Sequence, residues 1–430
     1  MTALGGSAKA PGRPGPPPET GLSPGRGAPR FEFATAGRIV FGTGALRTAA
    51  DTLAALGRRP LVVTGARAER AQPLLALLTE RAARPVTFAA GGEPDIAMVR
   101  RGAVFAREQR CDAVIGFGGG AALDAAKAIA ILATNLGDVL DYLEIVGRGQ
   151  ALAELPLPCA AIPTTAGTGS EVTRNSVIAS RENHVKVSLR SPLMLPRIAI
   201  VDPELTYGLP PALTATTGLD ALTQVVEPFV CTRANPLTDG LCQEGMTRVA
   251  RSLRAAFGAA PPTPAGPAGA APPARPTPEA IAVREDMAVS SLFGGLALAN
   301  AGLGAVHGIA GPLGGMIEAP HGALCAALLA PAVAQNVRAL RERAPESPAL
   351  ARYARVAQLL IGDPAAAAED AAGWVRQLVA DLGIPGLGGW GVGTELIGEL
   401  VTNAAGASSM KANPVELTLD ELSAIVEAAL

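Results

Sequence analysis

The chain of 430 residues is short of aromatic side chains, of histidine and of cysteine. Aromatics make up only 3%, so the interior has to be built from Ala, Leu, Val and Ile. The five cysteines (Cys111, Cys159, Cys231, Cys242 and Cys325) are scattered and form no CxxC pair, which argues against a disulfide framework or a cysteine-rich zinc module. That usage and the lack of a signal-peptide apolar core near the start lead to the expectation of a cytoplasmic protein. Mean hydropathy is +0.29, yet no uninterrupted apolar run reaches transmembrane length, so no membrane partner is expected. Charge of one sign is lacking too: 36 Lys and Arg stand against 38 Asp and Glu, which argues against a nucleic-acid partner. What is plentiful is apolar residues, at 49%, in a chain long enough for two or three domains.

Two stretches stand apart. Residues 1–30 hold seven prolines and seven glycines, and residues 258–278 hold eight prolines. Neither can bury enough apolar area to offset the entropy of ordering, so a disordered tail and a flexible insertion between helices are expected. Over residues 31–203, short apolar runs such as Pro60–Thr64, Ala113–Phe117 and Ile198–Val201 alternate with amphipathic stretches at 66–80 and 123–133. That alternation predicts an α/β domain with a Rossmann-like parallel sheet. Over residues 204–430, strand-like runs disappear. Leu219, Leu222, Val226 and Phe229 fall at helical spacing, and 238–257, 279–311, 321–343 and 348–361 also read as helices, which predicts an all-α second domain.

Two loops carry donors for an anion. Gly116-Phe-Gly-Gly-Gly-Ala121 follows a strand and opens a helix, where free backbone N–H groups and the helix dipole favour negative charge. Asp124 and Lys127 then share a helix face. In Pro163-Thr-Thr-Ala-Gly-Thr-Gly-Ser170, four hydroxyls crowd around two glycines just after another strand. A tight turn and a capped helix would explain either loop alone; the two together favour a nucleotide site beyond the strand ends. Histidines number three: His184, His307 and His321. His307 and His321 lie 14 residues apart in His-Gly dipeptides, and neutral imidazole suits Zn²⁺ or Fe²⁺. Asp220 sits in an otherwise apolar helical segment with Gln224 one turn later on the same face, which makes it a candidate third ligand.

The stretches GGGAALDAAK (118–127), IPTTAGTGSEVTRNSVI (162–178), LPRIAIVDPELT (195–206), LPPALTATTGLDALTQVVEPF (209–229), GAVHGIAGPLGGMIEAPHG (304–322) and NPVELTLDEL (413–422) together resemble the iron-containing (group III) alcohol dehydrogenase family, in its order and over most of residues 31–430. The resemblance implies a dehydroquinate synthase-like architecture, with a dinucleotide-binding domain, a helical domain and an active site in the cleft between them. It implies a homodimer or larger homo-oligomer acting on a small-molecule alcohol, aldehyde or oxoacid. Carried over by position, Gly119, Gly120 and Asp124 stand as cofactor contacts, Thr164, Thr165 and Thr168 as the second cofactor loop, and Lys186 as the lysine that reaches the cofactor ribose. Asp220, His307 and His321 stand as catalytic residues and as three of four ligands to Fe²⁺ or Zn²⁺.

The chain departs from the family pattern in three places. Ala121 replaces a serine in the glycine loop. Gln224 stands where the family has its fourth ligand, a histidine; its side-chain carbonyl still supplies an oxygen, a weaker donor, and makes Gln224 the expected fourth metal ligand. Gly311 stands where many members carry a second histidine used in proton transfer. At the end of the first cofactor strand, Gly65 replaces a frequent aspartate, and Arg67 and Arg70 follow, so NADP is favoured over NAD. The expected activity is a metal-dependent, NAD(P)-linked alcohol dehydrogenase or aldehyde reductase. The alternatives are a metal-independent oxoacid reductase of the maleylacetate reductase type, to which Gln224 points, and a non-catalytic nucleotide-binding relative.

Overall fold

The structure, a computed structural model, describes residues 30–183, 185–261 and 276–430. Most of the expected tail, most of the proline-rich insertion and His184 lie outside the described residues.

The first part carries β1 (Ile39–Phe41), α1 (Ala45–Thr48), α2 (Ala50–Ala54), β2 (Pro60–Thr64), α3 (Gln72–Thr79), β3 (Val86–Ala89), α4 (Ile96–Glu108), β4 (Ala113–Gly118), α5 (Gly120–Thr134), α6 (Val139–Tyr142), β5 (Cys159–Pro163), β6 (Asn175–Ser180), β7 (Val185–Arg190) and β8 (Ile198–Val201). Six strands form one parallel sheet in the order β1-β8-β5-β4-β2-β3. β2, β4, β5 and β8 are buried along their whole length, which is why they read as continuous apolar runs rather than alternating ones. From β2 the chain moves outward to β3; from β4 it moves the other way, to β5. The order therefore reverses between β2 and β4, at the carboxyl ends where Gly65 and Gly118 lie, and that is where ligands bind open α/β sheets.

Two local expectations change. The 66–80 segment is not one helix, because a 3₁₀ turn (Ala68–Ala71) precedes α3. The residues after the hydroxyl loop fold into a separate antiparallel hairpin, β6–β7, outside the parallel sheet.

After Val201 the described residues contain no strand. They form α7 (Pro211–Val230), α8 (Pro236–Gly258), α9 (Pro278–Asn300), α10 (Ala305–Met316), α11 (His321–Arg343), α12 (Pro348–Ile361), α13 (Asp370–Asp381), α14 (Ile397–Gly406) and α15 (Leu419–Ala429). Leu219, Leu222, Val226 and Phe229 are all buried in the largest core cluster. The segment expected as one helix over 279–311 breaks at residues 301–304, and α9 and α10 meet at 95°. Gly304 stands at that corner; a Cβ there would come within 2.9 Å of Asn413 Oδ1 and 3.0 Å of Glu227 Oε1. α11 is long and apolar enough to cross a membrane, but 83% of its apolar window is buried inside the helical part, so it reads as a core helix.

The Asp124–Lys127 pair, which by sequence alone could be a surface salt bridge, is interior. Lys127 is fully buried, 3.1 Å from Asp124, and its Nζ donates to Ser170 O, Thr173 Oγ1 and Asn175 O. Asp124 accepts from Ser170 Oγ and from the Val177 N–H. α5 thereby clamps the loop between β5 and β6.

Beside that clamp, Glu171 is buried and its Oε2 has no hydrogen-bond partner. Burial pushes its carboxyl up to about 7, against the pull of a backbone hydrogen bond and of Lys127. A carboxyl raised in the folded state is fully stabilising below its unfolded value, and that contribution is lost as pH rises from about 4.5 to about 7. Glu171→Gln is expected to match the parent protein at pH 4 and to exceed it by about 3 kcal/mol at pH 8, at about 1.4 kcal/mol per unit of pKa shift. Denaturation curves at the two pH values measure this; parallel pH profiles would exonerate Glu171.

Candidate active site

The glycine loop and the hydroxyl loop lie against each other. The Thr164 N–H donates to Gly118 O at 2.8 Å. A Cβ on Gly119 would stand 3.5 Å from Thr165, and one on Gly120 would press 2.6 Å from Thr168 Cγ2. Glycine at 120 is therefore a condition of that contact. Gly119 caps α5, so the first N–H groups of a 15-residue helix open onto the same mouth. Gly65 borders it, with open space where its Cβ would be.

The arginine pair is divided. Arg70 is partly buried and donates Nη2 to Leu205 O at 3.0 Å; burial, then the nearby Arg67, lowers its pKa. Arg67 stays exposed at the strand end. Lys186, on β7, pairs with Glu93 at 2.7 Å, and its Nζ lies 3.2 Å from the Cβ position of Gly314 on α10.

The hydroxyl loop also meets the helices. At Gly167 a Cβ would collide with Thr217 of α7, three residues before Asp220. On α7, Asp220, Gln224 and Glu227 form a buried polar stripe on one helix face. His307 enters from the first turn of α10 and His321 is the first residue of α11. Gly322 permits that approach, because a Cβ there would meet Thr216 O.

Four donor atoms converge within 4.8 Å of one another, from Asp220, His307, His321 and Cys325. His307 Nε2 is 3.6 Å from Asp220 Oδ1 and His321 Nε2 is 4.0 Å from it. Asp220 Oδ1 is buried without a hydrogen-bond partner. Burial alone would raise the Asp220 carboxyl; the neighbouring His307 and His321 outweigh it and hold the pKa below the ordinary value. The His321 pKa is raised, first by Cys325. A buried carboxylate beside two imidazoles and a thiol attracts positive charge, and the donor set suits a divalent cation.

Glu227 sets the orientation of His307. Its Oε2 accepts the His307 Nδ1–H at 2.6 Å, while its Oε1 accepts the Val306 N–H at 2.7 Å and caps α10. With Nδ1 occupied, the Nε2 lone pair points to the cluster, the arrangement by which a carboxylate fixes a ligating histidine.

Residues 36–203 match the family described as iron-containing alcohol dehydrogenase, and residues 214–262 and 269–430 match its C-terminal family. The chain belongs to the iron-containing alcohol dehydrogenase family. Alcohol dehydrogenase 4 of Schizosaccharomyces pombe is 36% identical over 339 residues, covering 78% of this chain and 73% of that protein. The crystal structure of 1,3-propanediol oxidoreductase superposes with a TM-score of 0.81 at 32% identity, over 94% of this chain and all of that one. Sulfoacetaldehyde reductase from Bifidobacterium kashiwanohense, solved in complex with NAD+, has a TM-score of 0.77 at 28% identity, over 94% and 99%. The chain is thus an oxidoreductase of the alcohol dehydrogenase type, and its family implies a divalent metal and a nicotinamide cofactor.

Within that family frame, two residues of the cluster escape the sequence reading. Glu227 continues the stripe of Asp220 and Gln224 at the next helical step, and Cys325 follows His321 by one turn. Both signals were spacings. Gln224 lies beside Asp220, whose carboxylate it helps stabilise, and also packs against α9: its Oε1 is buried, without a hydrogen-bond partner and 3.4 Å from the Cβ position of Gly294.

Proposed function

We propose that this protein is a metal-dependent, NAD(P)-linked alcohol dehydrogenase and aldehyde reductase, moving a hydride between nicotinamide C4 and the carbon of a small alcohol or aldehyde. The observation that carries this reading is the packing of Gly167 on Thr217, which sets the hydroxyl loop less than one helical turn from Asp220. The dinucleotide mouth and the donor cluster consequently share one cleft.

Asp220, His307 and His321 would hold a divalent iron or zinc ion, which supplies Lewis-acid polarisation of the substrate oxygen; the nicotinamide supplies or accepts the hydride. The chain's own groups do the rest. Gly119, Gly120 and the α5 N-terminus receive the pyrophosphate, Thr164, Thr165 and Thr168 line the opposite wall, and Lys186 faces the cleft from the hairpin. Asp124 contributes through Ser170, by fixing the loop that carries those threonines. Glu227 keeps the His307 Nδ1 proton in place. Gly311 presents no imidazole and leaves open space beside α10, so no side chain at that position takes the alcohol proton.

Protein purified without chelator is expected to carry about one iron or zinc per chain. It is expected to turn over alcohols with NADP(H), to lose activity on chelation and to regain it on re-addition. Full activity after exhaustive chelation would instead favour the metal-independent oxoacid reductase.

The preference for NADP(H) rests on Gly65 and on Arg67, since Arg70 is engaged with Leu205. Arg67→Ala is expected to raise the KM for NADPH about tenfold, the loss of one charge-assisted contact, and to leave the KM for NADH unchanged. Equal shifts for both cofactors would show that Arg67 does not read the 2′-phosphate.

A further inference from the structure

We propose that Cys325 is a metal ligand: its thiolate completes the site of Asp220, His307 and His321, in place of the histidine that this family carries at position 224. The inference rests on the metal-dependent reading above and names the fourth donor of that same site.

Cys325 Sγ lies 3.6 Å from His321 Nε2 and 4.0 Å from His307 Nε2. Donors about 2.0 Å (nitrogen) and 2.3 Å (sulfur) from a tetrahedral zinc ion stand about 3.5 Å apart, so the observed spacing is that of a coordination shell. His321 and Cys325 lie one turn apart on α11, a spacing that sends both side chains to one point. The other two donors come from α7 and α10. Asp220 Oδ1, buried and accepting no hydrogen bond, faces the same point as an independent sign of an absent positive partner.

Charge favours the same assignment. The Asp220 carboxylate and one thiolate match the charge of a divalent ion among the donors themselves, with the Glu227 carboxylate one hydrogen bond further out on His307. Gln224 is free to differ from histidine because the sulfur supplies the fourth donor from another helix. A thiolate is soft, so Zn²⁺ or Co²⁺ is preferred over Fe²⁺. The remaining cysteines do not join this cluster among the described residues.

X-ray absorption of the Zn²⁺-loaded full-length protein is expected to show one sulfur scatterer at about 2.3 Å beside nitrogen and oxygen. The Co²⁺-loaded protein is expected to show a thiolate-to-cobalt charge-transfer band. Cys325→Ser loses both signals and binds Zn²⁺ about 10–100-fold more weakly, a tenfold step being about 1.4 kcal/mol. Adding Gln224→His to Cys325→Ser is expected to recover affinity without the sulfur signal. A wild-type shell of nitrogen and oxygen only, or an unchanged cobalt band in Cys325→Ser, would overturn the assignment while leaving metal dependence intact. Failure of the wild-type protein to take up either ion would overturn both readings. The wild-type spectrum decides the matter even if a variant does not fold.

Discussion

Replacing His307 with alanine is expected to abolish turnover, lowering kcat by about a thousandfold or more, and to release the metal. The size follows from the loss of several kcal/mol of charge stabilisation at the reacting oxygen, at about 1.4 kcal/mol per factor of ten. His307 is the donor with the tightest support: Glu227 holds its Nδ1 at 2.6 Å, and Nε2 faces the point shared with Asp220 and Cys325. Glu227→Gln keeps the side-chain shape and weakens that support, so its expected loss is smaller, about 10–100-fold in activity or metal affinity. Steady-state kinetics and elemental analysis of both variants measure the difference. Near-normal turnover in His307→Ala would refute the assignment of the site.

Gly169→Ala is expected to have the largest effect on stability. Gly169 has φ of +60°, where a side chain is strained, and a Cβ there would stand 2.3 Å from Gly295 Cα and 2.6 Å from Gly295 N. Backbone, not a flexible side-chain end, occupies the space. The strain and the forced separation of the loop from α9 together cost about 3–5 kcal/mol. Because the same loop carries Thr164, Thr165 and Thr168, cofactor affinity is expected to fall about tenfold at least in whatever fraction stays folded. Gly311→Ala provides the contrast. Its Cβ meets nothing within 4 Å in the middle of α10, so it is expected to gain about 0.5–1 kcal/mol from helix propensity. Denaturant titration of the two variants separates steric exclusion from glycine's entropy; similar stabilities would show that the Gly169–Gly295 contact is not tight.

Local periodicity made much of the architecture readable. The buried runs at Pro60–Thr64 and Ala113–Gly118, and the helices at 321–343 and 348–361, follow from patterns within a dozen residues. The break between α9 and α10 was not readable. Gly302 and Gly304 mark it, but an Ala- and Gly-rich stretch keeps apolar residues at every angle of a helix, so periodicity shows no change of direction. What forces the corner is Glu227 and Asn413, which accept from the Val306 and Ala305 N–H groups from far along the chain.

By itself the sequence determined the sheet-then-helix order and the two donor loops, because each rests on residue type and on spacing within one element; three groups of the candidate metal site were legible only as scarce residue types set in the family's motifs. Only the tertiary structure decided the partners. It turned Arg70 away to Leu205, buried Lys127 and Asp124 as a clamp, and brought Glu227 and Cys325 to the histidines. The last of these depends on how α7, α10 and α11 cross. The α7–α11 crossing depends on Gly322 letting the two backbones touch, a three-dimensional constraint that no single helix encodes.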